Sequence, residues 1–379
     1  MPLTDMTAPS YRQETENRFA VSNSRPGGVI LPVHTASHQP HILIINTGGT
    51  IGMKRTIHGY APFPGQIGAF IDLLKANMAD QLPHIDLIEY NPLLDSSDIS
   101  AKDWVRIAAD VAAHESLYDG FVILHGTDTM AYTASALSFM LRGLNKPVVI
   151  TGAQLPLSRL RSDGQENLTT AMLLAAFSRI PEVCLYFGGK LLRGNRATKV
   201  SADNLQAFDS PNYPPLAEAG VDLRYFPNRC RPAGDGIVLQ PFHEQRIGVL
   251  KIFPGLQFSL FDNLIDKGLN GLILEAFGVG NIPFGNTALI NLLHSCAEHN
   301  IVTVVCTQCH QGRARLGEYA ASSELCALGA VSGLDLTVEA AVTKLTYLLS
   351  KETDYEKICS FMGQDLAGEL SADYAAARE

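Results

Sequence analysis

A chain of 379 residues, 46% hydrophobic and 18% charged, has the length of two domains and can bury large cores without disulfide or metal staples, which excludes a disordered or fibrous protein. Its 29 Lys+Arg stand against 38 Asp+Glu, a net charge of -9. With no basic cluster to displace counterions from a phosphate backbone, nucleic acid is excluded as the main partner. Seven scattered cysteines are too few, and odd in number, for a disulfide framework, so reduced thiols in a cytoplasmic setting are expected. No apolar run approaches the ~18 residues that span a bilayer, and residues 1–10 lack both the basic and the apolar stretch of a secretory signal; no membrane association is expected.

In chain order, residues 1–40 are polar, carry Pro26, Gly27, Gly28, Pro32 and Pro40, and read as a flexible extension. From His41 short β-branched runs alternate with helical stretches. HILIINT (41–47), FVILH (121–125), PVVITGA (147–153) and EVCLYFGG (182–189) predict strands. Between the first two, Trp104, Ile107, Ala108 and Val111 recur at helical spacing, with Ser100 and Asp103 as a capping box. The pattern breaks over about 207–245, which is rich in Pro and Gly and reads as an inter-domain linker, then resumes with RIGVLKIF (246–253), NGLILEAF (270–277), NIVTVVCT (300–307) and a helix near 335–350. The expected fold is α/β: a larger N-terminal domain (41–225) built on a mostly parallel sheet flanked by helices, a linker (226–245), and a smaller flavodoxin-like parallel α/β domain (246–379).

Ligands of open parallel sheets bind beyond the carboxyl ends of strands, so the residues following each strand are the candidates. After the first comes Thr47-Gly48-Gly49-Thr50-Ile51-Gly52, which matches neither G-x-G-x-x-G nor a P-loop. Either these glycines are structural, or they let the backbone approach a small ligand while Thr50 serves as nucleophile with Tyr60 of HGYAP as partner. His125-Gly126-Thr127-Asp128-Thr129 is either a helix cap or a polar site in which Asp128 holds an ammonium group and Thr127 attacks or positions water. Asp95-Ser96-Ser97-Asp98 precedes a helix and suits a carboxylate ligand. Lys199, in Arg193-Gly194-Asn195-Arg196-Ala197-Thr198-Lys199, is a base only when neutral, and a neighbouring carboxylate opposes that. Cys306-Thr307-Gln308-Cys309-His310 fits a haem-attachment pattern, but no second ligand pair with metal spacing accompanies it.

Taken together, the order TGGTI, GYAP, DSSD, HGTDT, TGAQLPLSRLRSDGQENL and GNRATK resembles the L-asparaginases, in particular the bacterial cytoplasmic type I kind, over about 41–350. The resemblance implies an L-asparagine amidohydrolase that releases aspartate and ammonia through a threonine acyl-enzyme, without metal or organic cofactor, as a homodimer or dimer of dimers. It implies Thr50 as nucleophile, Tyr60 as its activating partner, and Thr127, Asp128 and Lys199 as a second triad. Gly49, Asp95, Ser96, Ser97, Gly126, Thr127 and Asp128 are the implied substrate-binding residues, with backbone N–H groups around Thr50 and Thr127 as oxyanion donors. Thr198, Asn281, Thr307 and Cys309 match an allosteric asparagine site; where the regulated members carry a basic residue, this chain has Glu275. The alternatives are an asparaginase-like subunit of a tRNA-dependent amidotransferase, and a non-catalytic amino-acid sensor that keeps the cleft.

Overall fold

The alternating β-branched runs and amphipathic helices fold into two main sheets covered by helices, with three two-stranded ribbons beside them among the described residues. The computed structural model describes residues 28–31, 39–57, 59–261, 263–317 and 320–371. In chain order the first part holds β1 (Val29–Ile30), β2 (His41–Gly48), the hairpin of β3 (Met53–Thr56) and β4 (Gly59–Pro62), α1 (Gln66–Met78), β5 (His84–Leu94), α2 (Ala101–Ala113) and β6 (Gly120–Leu124). It continues with α3 (Met130–Met140), β7 (Leu141–Arg142), β8 (Val148–Thr151), α4 (Gly164–Phe177), β9 (Val183–Phe187) and β10 (Lys190–Arg193). The short strands β11 (Thr198–Lys199), β12 (Phe208–Asp209), β13 (Ala217–Ala219), β14 (Leu223–Tyr225) and β15 (Val238–Leu239) follow.

The larger sheet runs β1-β14-β13-β10-β9-β8-β6-β2-β5. Its β5-β2-β6-β8-β9 half is parallel, and every pairing from β9 outward is antiparallel. Strands β2 and β6 are apolar on both faces because both faces are covered. Leu43, Ile45, Phe121 and Ile123 pack with Ile107 and Val111 of α2 and Leu137 of α3. Ile42, Ile44, Val122 and Leu124 pack with Ile67 and Ile71 of α1 and Leu168 and Met172 of α4. This period-2 division is what fixes the register: a one-residue slip would exchange the two sets. The capping box of Ser100 and Asp103 starts α2 as the spacing requires.

Two expectations are corrected. The polar N-terminal extension lies mostly outside the described residues (1–27 and 32–38), but Val29 and Ile30 form an edge strand of the sheet against Tyr225 and Arg224, with Leu31 buried. The Pro- and Gly-rich stretch over 207–245 is not all linker. It supplies β12 to β15: β13 and β14 extend the large sheet, while β12 and β15 each pair with one strand, β11 and β7, and a strand of two or three residues is too short to show a hydrophobic period.

The second part contains β16 (Ile247–Lys251), β17 (Gly271–Ala276), α5 (Thr287–Glu298), β18 (Val302–Thr307), α6 (Ala320–Ala327), β19 (Val331–Ser332), α7 (Val338–Lys351) and α8 (Tyr355–Met362). Its four strands are parallel and lie in chain order, without the strand-order reversal of a flavodoxin-type sheet. Helix α3 packs against α7 across the two parts, and the buried hydroxyls of Ser135 and Thr343 meet there at 2.6 Å. No helix among the described residues is long and apolar enough to cross a membrane.

Candidate active site

The carboxyl ends of β2, β5 and β6 converge, and glycine makes the convergence possible. Gly49 has φ of 94°, and a Cβ there would stand 2.5 Å from the amide nitrogen of Gly126. The turn carrying Thr50 and the turn carrying Thr127 therefore touch backbone to backbone. Thr47 Oγ1 donates to the Leu124 carbonyl at 2.7 Å and staples the two strand ends. Thr50 opens a single 3-10 turn and is half-buried at the surface of this junction.

The end of β5 closes one side. Asp95 Oδ1 accepts from the Ser97 amide at 3.0 Å and from the Ser97 hydroxyl at 2.9 Å. Ser96 is buried against Gly126, where a Cβ would meet its Oγ at 2.3 Å, and its carbonyl accepts from Thr129 Oγ1 at 2.7 Å. Gly49, Thr50, Asp95, Ser96, Ser97, Gly126, Thr127 and Asp128 thus gather around one junction.

Lys199, on β11, reaches the same place. Its Nζ donates to Thr127 Oγ1 at 2.9 Å and to Asp128 Oδ1 at 2.8 Å. Lys199 thus donates hydrogen bonds to the Thr127 hydroxyl and the Asp128 carboxylate together, and ties the two side chains to one nitrogen. The Thr127 hydroxyl donates in turn to Gln154 Oε1 at 3.3 Å, and Gln154 is oriented by its amide, which donates to the carbonyls of Ala202 and Asn204 at 3.0 and 3.3 Å. Asp128 keeps 65% of its side chain open to solvent and can meet an ammonium group from outside. Tyr60 sits on β4, which packs alongside the Thr50 turn, but is 41% exposed and its Oη accepts from Arg159 Nη1 at 2.9 Å.

Beneath the Thr127 turn lies a polar chain that the sequence reading did not single out. Trp104 Nε1 donates to Thr133 Oγ1 at 3.0 Å, the Thr133 hydroxyl donates to His125 Nε2 at 2.8 Å, and His125 Nδ1–H donates to the Gly126 carbonyl at 2.7 Å. The carbonyl can only accept, which fixes the histidine tautomer. Burial disfavours the imidazolium and pushes His125 down to about 4, opposed by the bond to Gly126. Between the ordinary value of 6.5 and about 4 the unfolded chain takes up a proton that the folded chain refuses. Stability from this residue is therefore complete above about pH 6.5 and falls as pH falls, by about 3 kcal/mol in all, at roughly 1.4 kcal/mol per pH unit. The check is urea unfolding from pH 7 to 4: His125→Gln is expected to lose markedly less than the unsubstituted chain, and parallel losses would refute the assignment.

The four residues matched to an allosteric site lie at the carboxyl ends of the second sheet and at β11. Thr307 Oγ1 donates to the Gly278 carbonyl at 2.5 Å and accepts from the Cys309 amide at 3.0 Å; Asn281 pairs with Phe277 across the same turn. Thr198 Oγ1 donates to Glu339 Oε1 at 2.7 Å. Glu339 is raised above the usual carboxylate range, chiefly by burial and further by the charge of Glu275. The Cys306 thiol is buried and pushed up to about 12 by desolvation; all seven cysteines are free, and no metal-ligand cluster occurs among the described residues.

Residues 41–231 match the family model described as asparaginase, N-terminal, and residues 246–362 match the glutaminase/asparaginase C-terminal domain. The chain is 48% identical over 333 residues to L-asparaginase 1 of Escherichia coli (strain K12), covering 88% of this chain and 98% of that protein. It is 40% identical over 358 residues to a Mus musculus protein named 60 kDa lysophospholipase, covering 87% of this chain and 62% of that one. The crystal structure of L-asparaginase I from Vibrio cholerae O1 biovar eltor superposes with a TM-score of 0.81 at 43% identity, covering 88% of this chain and 100% of that one.

Proposed function

Because the chain belongs to the asparaginase family of amide hydrolases, we propose that it converts L-asparagine to L-aspartate and ammonia through an acyl-enzyme on Thr50. The observation that supports this reading best is the junction at which the Thr50 and Thr127 turns touch while Lys199 binds Thr127 and Asp128 together. Ser96, Ser97 and the backbone around them take the substrate carboxylate, and Asp128 takes its ammonium group. Thr50 Oγ bonds to the amide carbon, the C–N bond breaks, and the hydroxyl proton leaves with ammonia. Water then bonds to the same carbon, the Thr50 ester breaks, and a proton returns to Thr50 Oγ. Activation of Thr50 by Tyr60 requires that hydroxyl to exchange its Arg159 contact for Thr50. The oxygen that becomes negative faces the amides of the two turns.

Ammonia release from L-asparagine and L-glutamine over a concentration series, with Thr50→Ala as blank, tests the reading. The two amides differ by one methylene, worth about 1–3 kcal/mol, so their kcat/KM ratio measures the depth of the pocket. No ammonia from either amide, or turnover of a lysophospholipid in their place, would overturn it. Simple hyperbolic saturation is expected, because Glu275, at the end of β17, stands where the regulated members carry a basic residue, so the carboxylate of a second asparagine would meet a carboxylate in place of a cation. A sigmoidal curve would contradict that charge argument.

A further inference from the structure

The smaller domain reaches the candidate site through the last described stretch of the chain, residues 365–371. Gly194–Arg196 form one 3-10 turn between β10 and β11. Side chains at this turn hold three consecutive carbonyls of the stretch: Asn195 Nδ2 donates to Ala367 at 2.9 Å, Arg193 Nη1 to Gly368 at 3.2 Å, and Arg196 Nη1 to Glu369. The stretch is anchored on its other side in the smaller domain. Glu369 pairs with Lys344 of α7 at 2.6 Å, and Asp335 accepts from both Arg196 Nη2 at 2.8 Å and Ser371 Oγ at 2.6 Å.

Asn195 is fully buried, and its Oδ1 has no hydrogen-bond partner among the described residues. An unpaired buried acceptor carries a desolvation cost that an apolar side chain would avoid. What the amide supplies in return is the tether to Ala367. From this turn the chain passes through buried Ala197 directly into β11, whose Lys199 contacts Thr127 and Asp128. We propose that residues 365–371 are a positioning element for Lys199, acting through Asn195 on the turn that carries it. The smaller domain then sets the geometry of a group that belongs to the larger one. The proposal rests on the reading of Lys199 as part of the catalytic machinery.

A double-mutant cycle separates the two. Misplacing a catalytic group by about 1 Å costs on the order of 100-fold, so Asn195→Ala is expected to lower kcat about 10- to 100-fold with KM within about threefold. In a Lys199→Met background the same change is expected to cost nothing further, because there is no ammonium left to misplace. Equal losses in both backgrounds mean a purely structural role and overturn the proposal, as does full activity of Asn195→Ala. Undiminished activity of Lys199→Met itself overturns the reading of Lys199 beneath it. Gly368→Ala repeats the cycle from outside the turn should Asn195→Ala not fold: Gly368 has φ of 87°, and its Cβ would press on Arg193 at 3.0 Å.

Discussion

Thr50→Ala is expected to abolish ammonia release from L-asparagine, a loss of at least about four orders of magnitude, with the melting temperature unchanged within about 2 °C. The stability half follows from position. Thr50 is half-buried at the edge of a 3-10 turn, and deleting a hydroxyl and methyl at such a surface moves stability by about 0.5 kcal/mol or less. The kinetic half follows from the proposed chemistry, in which no acyl-enzyme forms without the hydroxyl and the remaining groups can only orient water. Lys199→Met should cost about 10²- to 10⁴-fold, the range of a lost proton-transfer or charge-stabilising group. It leaves the Asp128 carboxylate without its counterion and Thr127 without its donor. Lys199→Arg should not restore the rate, because a planar guanidinium cannot replace a point ammonium that bonds two oxygens 2.9 and 2.8 Å away. Groups that act as one unit lose non-additively, so Thr127→Ala combined with Lys199→Met should be no worse than the slower single variant. Normal rates in Thr50→Ala, with its sequence confirmed, would refute the assignment.

What the sequence made readable was local. Continuous apolar runs at 41–48 and 120–124 announce strands covered on both faces, and the residues just past them are where Thr50 and Thr127 stand. The rule that ligands bind at carboxyl ends of strands therefore points to most of the candidate site from the sequence alone. Gln154 follows β8 in the same way and obeyed the same rule; a glutamine in a loop carries no chemical signature of its own, so it passed unremarked. His125 was legible as a residue but not as a relay, because Trp104 and Thr133 come to it from two different helices. Tyr60 was expected beside Thr50, and the partner the structure gives its hydroxyl is Arg159, 99 positions away. The short strands β12 to β15 escaped for a different reason. Their two or three residues are too few to show a period, and it is pairing with a neighbouring strand that fixes them.

The buried pair of Lys344 and Glu369 is where single substitutions should cost the fold most. Both side chains are fully buried and stand 2.6 Å apart. Desolvation pushes Lys344 down, and the charge of Glu369 is the main force opposing it. Glu369→Ala removes that opposition and also frees the amides of Leu366 and Ala367, which the carboxylate now accepts at 2.9 and 2.6 Å. The expected loss is about 3–5 kcal/mol, the usual consequence of leaving one buried charge uncompensated. Lys344→Met should cost less, because the stranded carboxylate keeps those two backbone donors, although the carbonyls of Met362 and Gln364 lose theirs. Because the stretch 365–371 also grips Arg193, Asn195 and Arg196, the loss should loosen both domains together: urea unfolding followed by the fluorescence of Trp104, the single tryptophan, should shift with the same midpoint as the helical signal. A midpoint for Glu369→Ala within error of the unsubstituted chain, or a smaller loss than that of Lys344→Met, would show that the ion pair does not hold this stretch in place.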